Sequence, residues 1–122
     1  MGFCWTTIQV ADLEKSIAFY RDVVGLPLVR RFVGGPGVEL AFLGDGPTQV
    51  ELICAPGRKT PGRVEGVTLG FEVASLEPRM ALTAAHGYPV DKGPFSPNPS
   101  MRFFYVRDPD GVEVQFVENL KA

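Results

Sequence analysis

Seven residues have the types and positions to line one binding surface: Trp5, Thr7, Gln49, Glu51, Ile53, Thr68 and Gln115. Each falls on the less apolar side of a stretch that alternates with the period of a β-strand. In the first strand Ile8 and Val10 oppose Trp5, Thr7 and Gln9. In 49–54 Val50 and Leu52 oppose Gln49, Glu51 and Ile53. In 67–73 Leu69, Phe71 and Val73 oppose Thr68, Gly70 and Glu72, and in 112–118 Val112, Val114 and Phe116 oppose Glu113, Gln115 and Val117. Trp5 offers a flat surface for an aromatic or heterocyclic ring. Gln49, Thr68 and Gln115 can orient a ligand by hydrogen bonds. Glu51 can pair with a cationic group, or act as a general base beside a substrate carbonyl in a partly dry pocket. The competing arrangement has Trp5 filling the space itself and Glu51 satisfied by Gln115.

Phe95, Arg102, Phe104 and Tyr105 are further candidates for the walls of such a surface. Arg102 or Arg107 would hold a carboxylate or phosphate, or else form an exposed salt bridge. The single histidine, His86, falls at a helix end, where free carbonyls and the negative end of the helix dipole await it. Cys4 and Cys54 share faces with apolar neighbours and read as buried small hydrophobes rather than a disulfide framework.

Two similar modules must position these groups. Each opens with a short apolar strand, at 6–10 and 67–73. A helix-cap residue follows, Asp12 or Ser75, and each helix stops at a glycine, Gly25 or Gly87. Leu13, Ile17, Tyr20 and Val24 make one apolar stripe on the first helix. Each module closes on a strand pair, 38–43 with 49–54 and 101–107 with 112–118. The tight turns between them are Gly44–Pro47 and Asp108-Pro-Asp-Gly111. A repeated βαβββ unit of about 55 residues predicts an α+β domain spanning 1–122. Its first module is 1–54, its linker 55–65 and its second module 66–122, with curved mixed sheets around a cleft and helices outside. Stretch 91–100, with its three prolines, reads as a loop over the concave face or as an inert connection.

Ser16-Ile-Ala-Phe-Tyr20 with Gly25-Leu26, then Glu51 in a strand, then Asp108-Pro-Asp-Gly111 before the last strand, resemble the vicinal oxygen chelate superfamily. That group includes glyoxalase I, bleomycin-resistance proteins, fosfomycin-resistance proteins and extradiol dioxygenases. The resemblance implies four metal-ligand positions on the concave face, which fall here on Trp5, Glu51, Thr68 and Gln115. Only Glu51 is a good ligand, because an indole N–H is a donor only and Thr and Gln are weak neutral ligands. The expectation is therefore a degenerate site with no metal and no cofactor. It binds a small amphipathic or aromatic molecule, in the manner of the bleomycin-resistance branch, whose dimeric members sequester a drug. A homodimer is expected on the same resemblance. The alternative is a metal-dependent lyase, isomerase or dioxygenase of the glyoxalase type, or metal-free proton abstraction by Glu51.

Composition narrows the partners. Lys and Arg number 12 against 14 Asp and Glu, which gives no basic footprint for nucleic acid. No apolar run approaches the roughly 18 residues that span a bilayer. The N-terminal residues lack the pattern of a secretory signal, so a cytoplasmic protein without membrane or nucleic-acid partners is expected.

Overall fold

The computed structural model describes residues 1–119; the last three residues of the expected second module lie outside the described residues. The chain divides into two compact units, Met1–Pro61 and Gly62–Ala122. The division falls within the stretch 55–65 read as the linker.

The first unit runs β1 (Trp5–Gln9), α1 (Leu13–Ala18), β2 (Leu28–Gly35), β3 (Val38–Leu43) and β4 (Gln49–Cys54). Its sheet has the order β1-β4-β3-β2, with β1 parallel to β4 and the other pairs antiparallel. The second unit repeats this connectivity with β5 (Thr68–Glu72), α2 (Leu76–Ala85), β6 (Lys92–Asn98), β7 (Met101–Arg107) and β8 (Glu113–Asn119), ordered β5-β8-β7-β6. Two four-stranded mixed sheets, each with its own helix, make an α+β fold.

Asp12 starts α1 as expected, its carboxylate accepting from the Lys15 N–H at 3.1 Å. The expected single helix up to Gly25 is instead α1 followed by a π-helical turn over Phe19–Val24. The stripe Leu13, Ile17, Tyr20 and Val24 is buried with Phe19 and Val23. It meets the apolar face of the sheet, to which Ile8, Val10, Leu43, Val50 and Leu52 contribute. Burial of each such aliphatic side chain stabilises by about 1.5–3 kcal/mol.

In the second unit α2 lies on β7 and β8, over Phe104, Val106, Val114 and Phe116, all fully buried. Ser75 occupies the N-cap position but makes no side-chain cap bond. The cap comes from the sheet: the buried Glu118 carboxylate accepts from the Leu76 N–H at 2.6 Å.

The turn after β7 is tightly bonded. The Asp108 carboxylate accepts from the N–H groups of Asp110 at 2.9 Å and Val112 at 2.8 Å. The Asp108 carbonyl accepts from the Gly111 N–H at 3.0 Å. Gly111 itself has φ +87, and a Cβ there would stand 2.2 Å from the Gly62 carbonyl oxygen.

Four expectations need correction. Stretch 91–100 is not a loop: Lys92–Asn98 forms β6, paired to β7 with two register shifts and a cis Gly93–Pro94 bond. An edge strand needs only one bonded side, and this is what admits its prolines. The strand Leu28–Gly35 was not anticipated. Cys4 is exposed rather than buried, because it stands one residue before β1 begins; Cys54 is half-buried, and both thiols are free. Three of the strands start or end one residue or so from their expected bounds, as strand ends fray. Among the described residues no helix is long and apolar enough to cross a membrane.

Candidate functional site

The mixed face of the first sheet brings together the residues expected there. Register places Thr7 beside Glu51, Glu51 beside Phe42 and Phe42 beside Arg30, one row across four strands. Glu51 is buried, 8% exposed, and accepts a short hydrogen bond from the Thr7 hydroxyl. Trp5, opposite Gln49, stands edge-on to Phe42, with centroids 5.2 Å apart and ring planes at 71°. Phe42 is 3% exposed whereas Trp5 remains 43% exposed, so Trp5 presents its ring outward from a buried aromatic base. Phe32 stacks on Phe42 at 6.1 Å and 12°. The Arg30 guanidinium lies 4.5 Å from the Phe42 centroid and 5.3 Å from that of Phe32. Gln49 spends its side-chain N–H on the Gly44 carbonyl at 2.9 Å, which ties it to the β3–β4 turn. Ile53 is half-buried on the same face, between Gln9 and Leu40.

Phe42, Phe32 and Arg30 escaped the sequence reading. Alternation puts Arg30 and Phe32 on one side of β2 and Arg31 and Val33 on the other, but neither side is apolar, and a bulge between Leu28 and Arg30 breaks the pattern.

The mixed face of the second sheet is more polar. Its Thr68/Glu113 and Gly70/Gln115 pairs hold the places that Trp5/Gln49 and Thr7/Glu51 hold in the first sheet. Glu113 accepts a short hydrogen bond from the Thr68 hydroxyl, with Lys92 Nζ at 2.6 Å and Arg107 at 3.6 Å. Lys92 first, then Thr68, hold the Glu113 carboxyl below the usual glutamate range. Gln115 donates to the Tyr105 hydroxyl at 3.2 Å, and Glu51 accepts from Thr7. Phe95, Phe103 and Tyr105 form a ring cluster with centroids 5.7 to 6.4 Å apart. Lys92 Nζ lies 4.5 Å from the Tyr105 centroid. Alternation puts Glu113 on this face beside Gln115, and it is Glu113 that carries the charged cluster.

Arg102 does not join either face. It sits opposite Glu118 on the helix side of β7, bonded to Glu77 and 3.7 Å from Glu118. Phe104 is core, packed on Phe116 at 5.2 Å. Arg107 is occupied by Glu113, Asp91 and the carbonyls of Val64 and Gly111. His86 is the exposed C-cap of α2. An open cleft of about 330 Å³ lies by Tyr88, Asp91 and Pro109, and Arg107 is the one expected site residue among those that line it.

The four positions implied for a metal, Trp5, Glu51, Thr68 and Gln115, carry one carboxylate, and Thr7 already bonds it. Thr68 is committed to Glu113 and Gln115 to Tyr105. Among the described residues no three His, Cys, Asp or Glu side chains come together in a way that could hold an ion. This donor set does not fit zinc or iron(II), which take three or four nitrogen, sulfur or carboxylate ligands.

Comparison with known proteins accords with this architecture. The chain is 35% identical over 119 residues to the uncharacterized protein YwbC of Bacillus subtilis, covering 93% of this chain and 94% of that one. It is 31% identical over 127 residues to the lactoylglutathione lyase of Haemophilus influenzae, covering 98% and 93%. The structure superposes on the trypanothione-dependent glyoxalase I of Leishmania major with a TM-score of 0.82 and 27% identity, over 97% of this chain and 86% of the other. Residues 2–116 match the sequence profile of one family, and the chain belongs to it: the Glyoxalase/Bleomycin resistance protein/Dioxygenase superfamily.

Proposed function

We propose that this protein binds a small aromatic or amphipathic molecule on the mixed face of its first sheet, without a metal centre. The observation that carries the reading is Trp5, held edge-on by the buried ring of Phe42 yet 43% exposed. Glu51 and Thr7 stand in the neighbouring register position. A ligand ring set against Trp5 gains apolar burial and ring contact, while Glu51 accepts a hydrogen bond or pairs with a positive group. The donor set at the four metal positions supports the absence of a centre. A homodimer is part of the same proposal, which sedimentation would decide.

The test is a titration of Trp5 emission, the only tryptophan signal, with a panel of small aromatic compounds. Saturable quenching without turnover is the expected result, with the affinity, read by calorimetry, weakened in Trp5→Ala. An unresponsive Trp5 across the panel would contradict it.

The likeness to a lactoylglutathione lyase favours a second reading, chemistry of the glyoxalase type. Glu51 would then be a base that removes a proton next to a carbonyl. A glyoxalase assay with wild type and Glu51→Gln separates the two. Turnover lost in Glu51→Gln while ligand binding persists would put the enzyme reading first.

A further inference from the structure

Arg30 and Arg31 are neighbours in β2 that alternation sends to opposite faces of the sheet. Their surroundings differ. Arg31 is held by two carboxylates, Glu14 and Glu39. Arg21, Arg63, Arg102 and Arg107 likewise each meet a carboxylate. Arg30 meets none, and among the described residues its side chain makes no hydrogen bond or ion pair. Its guanidinium instead rests on the rings of Phe42 and Phe32 at 4.5 and 5.3 Å.

That placement holds the cation in position without using its N–H groups. A guanidinium supported by ring π-systems keeps its donor fork free for an anion, and a carboxylate or phosphate matches that fork with two parallel bonds. Arg30 is exposed, so the fork is accessible. It occupies the same row as Glu51, with Phe42 between them. At roughly 4.8 Å per strand the two backbones are about 10 Å apart, the length of a two-ring aromatic compound with one substituent. The buried Phe42 separates the two in the register, and the exposed ring of Trp5, edge-on to Phe42, supplies the apolar surface beside them.

We infer that Arg30 is the anion-recognising residue of this face, and that the ligand is a flat aromatic molecule carrying a carboxylate or phosphate group. The inference rests on the reading of the face as an aromatic binding surface and names the ligand class for it. It replaces Arg102 and Arg107, both engaged elsewhere, as the residue for an acidic group.

The experiment compares probes of one shape and different charge on the full chain: 2-naphthoate, 2-naphthyl phosphate, neutral 2-naphthalenemethanol and cationic 2-naphthylmethylamine. Calorimetry or ligand-observed NMR at low and high salt reads the affinities. The expected result is at least one anion bound about tenfold tighter than the neutral probe, a margin that shrinks with salt. Whichever anion shows the margin tells carboxylate from phosphate. In Arg30→Gln the anion-to-neutral ratio should fall to near one, with Arg30→Lys between. Equal binding of anions and the neutral probe to wild type would overturn the inference while leaving the aromatic surface in place. So would a preference that survives in Arg30→Gln. If no naphthalene probe binds the folded wild type, the aromatic surface and the inference fail together. The wild-type comparison and its salt dependence decide the matter even if Arg30→Gln does not fold.

Discussion

Replacing Gly111 with alanine places a methyl group where the backbone of another segment already lies. An added Cβ would stand 2.2 Å from the Gly62 carbonyl oxygen, 2.4 Å from its carbon and 2.6 Å from the Arg63 nitrogen. These are main-chain atoms, so no side-chain rotation relieves the contact. The residue also sits at φ +87, where an L side chain costs about 1–2 kcal/mol. Overpacking adds about 1–3 kcal/mol. Moving segment 62–64 away threatens the Val64 N–H bond to the Gly111 carbonyl at 2.9 Å and the Arg107 bond to the Val64 carbonyl at 3.0 Å. Each is worth about 1 kcal/mol. The two steric terms alone come to about 2–5 kcal/mol, and loss of either bond adds about 1 kcal/mol, a large share of a typical folding free energy. Gly87→Ala is the control: its φ is nearly the same at +89, but nothing lies within 4 Å of the added methyl. It should lose only the backbone share, about 1–2 kcal/mol. Urea unfolding followed by far-ultraviolet circular dichroism measures both. Equal losses in the two variants would refute the role of the 62–63 backbone, as would a loss below about 1.5 kcal/mol in Gly111→Ala.

Glu118→Ala should destabilise by about 2–3 kcal/mol, since it strips the only carboxylate partner from the Leu76 N–H; Ser75→Ala should lose well under 1 kcal/mol, and urea midpoints compare them. Glu113 has a lowered carboxyl pKa in the folded state, so its contribution is present above the unfolded value near about 4.3 and is lost as pH falls through the folded one. Acid unfolding of Glu113→Gln should therefore show a shallower loss of stability over that acid range than wild type; superposable curves would contradict the Lys92–Thr68–Glu113 assignment. Metal analysis of tag-free protein after exposure to Zn²⁺, Ni²⁺, Mn²⁺ and Fe²⁺ and desalting should find less than about a tenth of an equivalent. Near one equivalent, lost in Glu51→Ala, would reverse the proposal.

What was legible in the sequence follows from the range of each interaction. Period-two alternation is local, and it put Trp5, Thr7 and Glu51 on one face, where the register finds them. The Asp108–Gly111 turn was legible because its bonds close within five residues. The edge strands were not. In Leu28–Gly35 residues pair as Leu-Val, Arg-Arg and Phe-Val, so neither face reads as apolar, and nearly the whole strand is exposed. In Lys92–Asn98 two prolines hide a strand that is bonded on one side only. With β2 went Phe32 and Arg30, and with them the only free guanidinium among the described residues on that face. The π-helical turn was illegible because Phe19, Tyr20, Val23 and Val24 suit an α-helix equally well. The Glu118 cap joins residues 42 positions apart, which no local pattern reveals.

One measurement bears most directly on the aromatic surface: a ¹H–¹⁵N correlation spectrum of chelator-treated protein titrated with 2-naphthoate. Trp5 is the sole tryptophan, so its indole N–H gives a single resonance. The expected result is a saturable shift of that resonance together with the amides of Thr7, Phe42 and Arg30, without added metal. Shifts confined to other parts of the chain, or a Trp5 response that appears only once Zn²⁺ is supplied, would contradict a metal-free aromatic site on the first sheet.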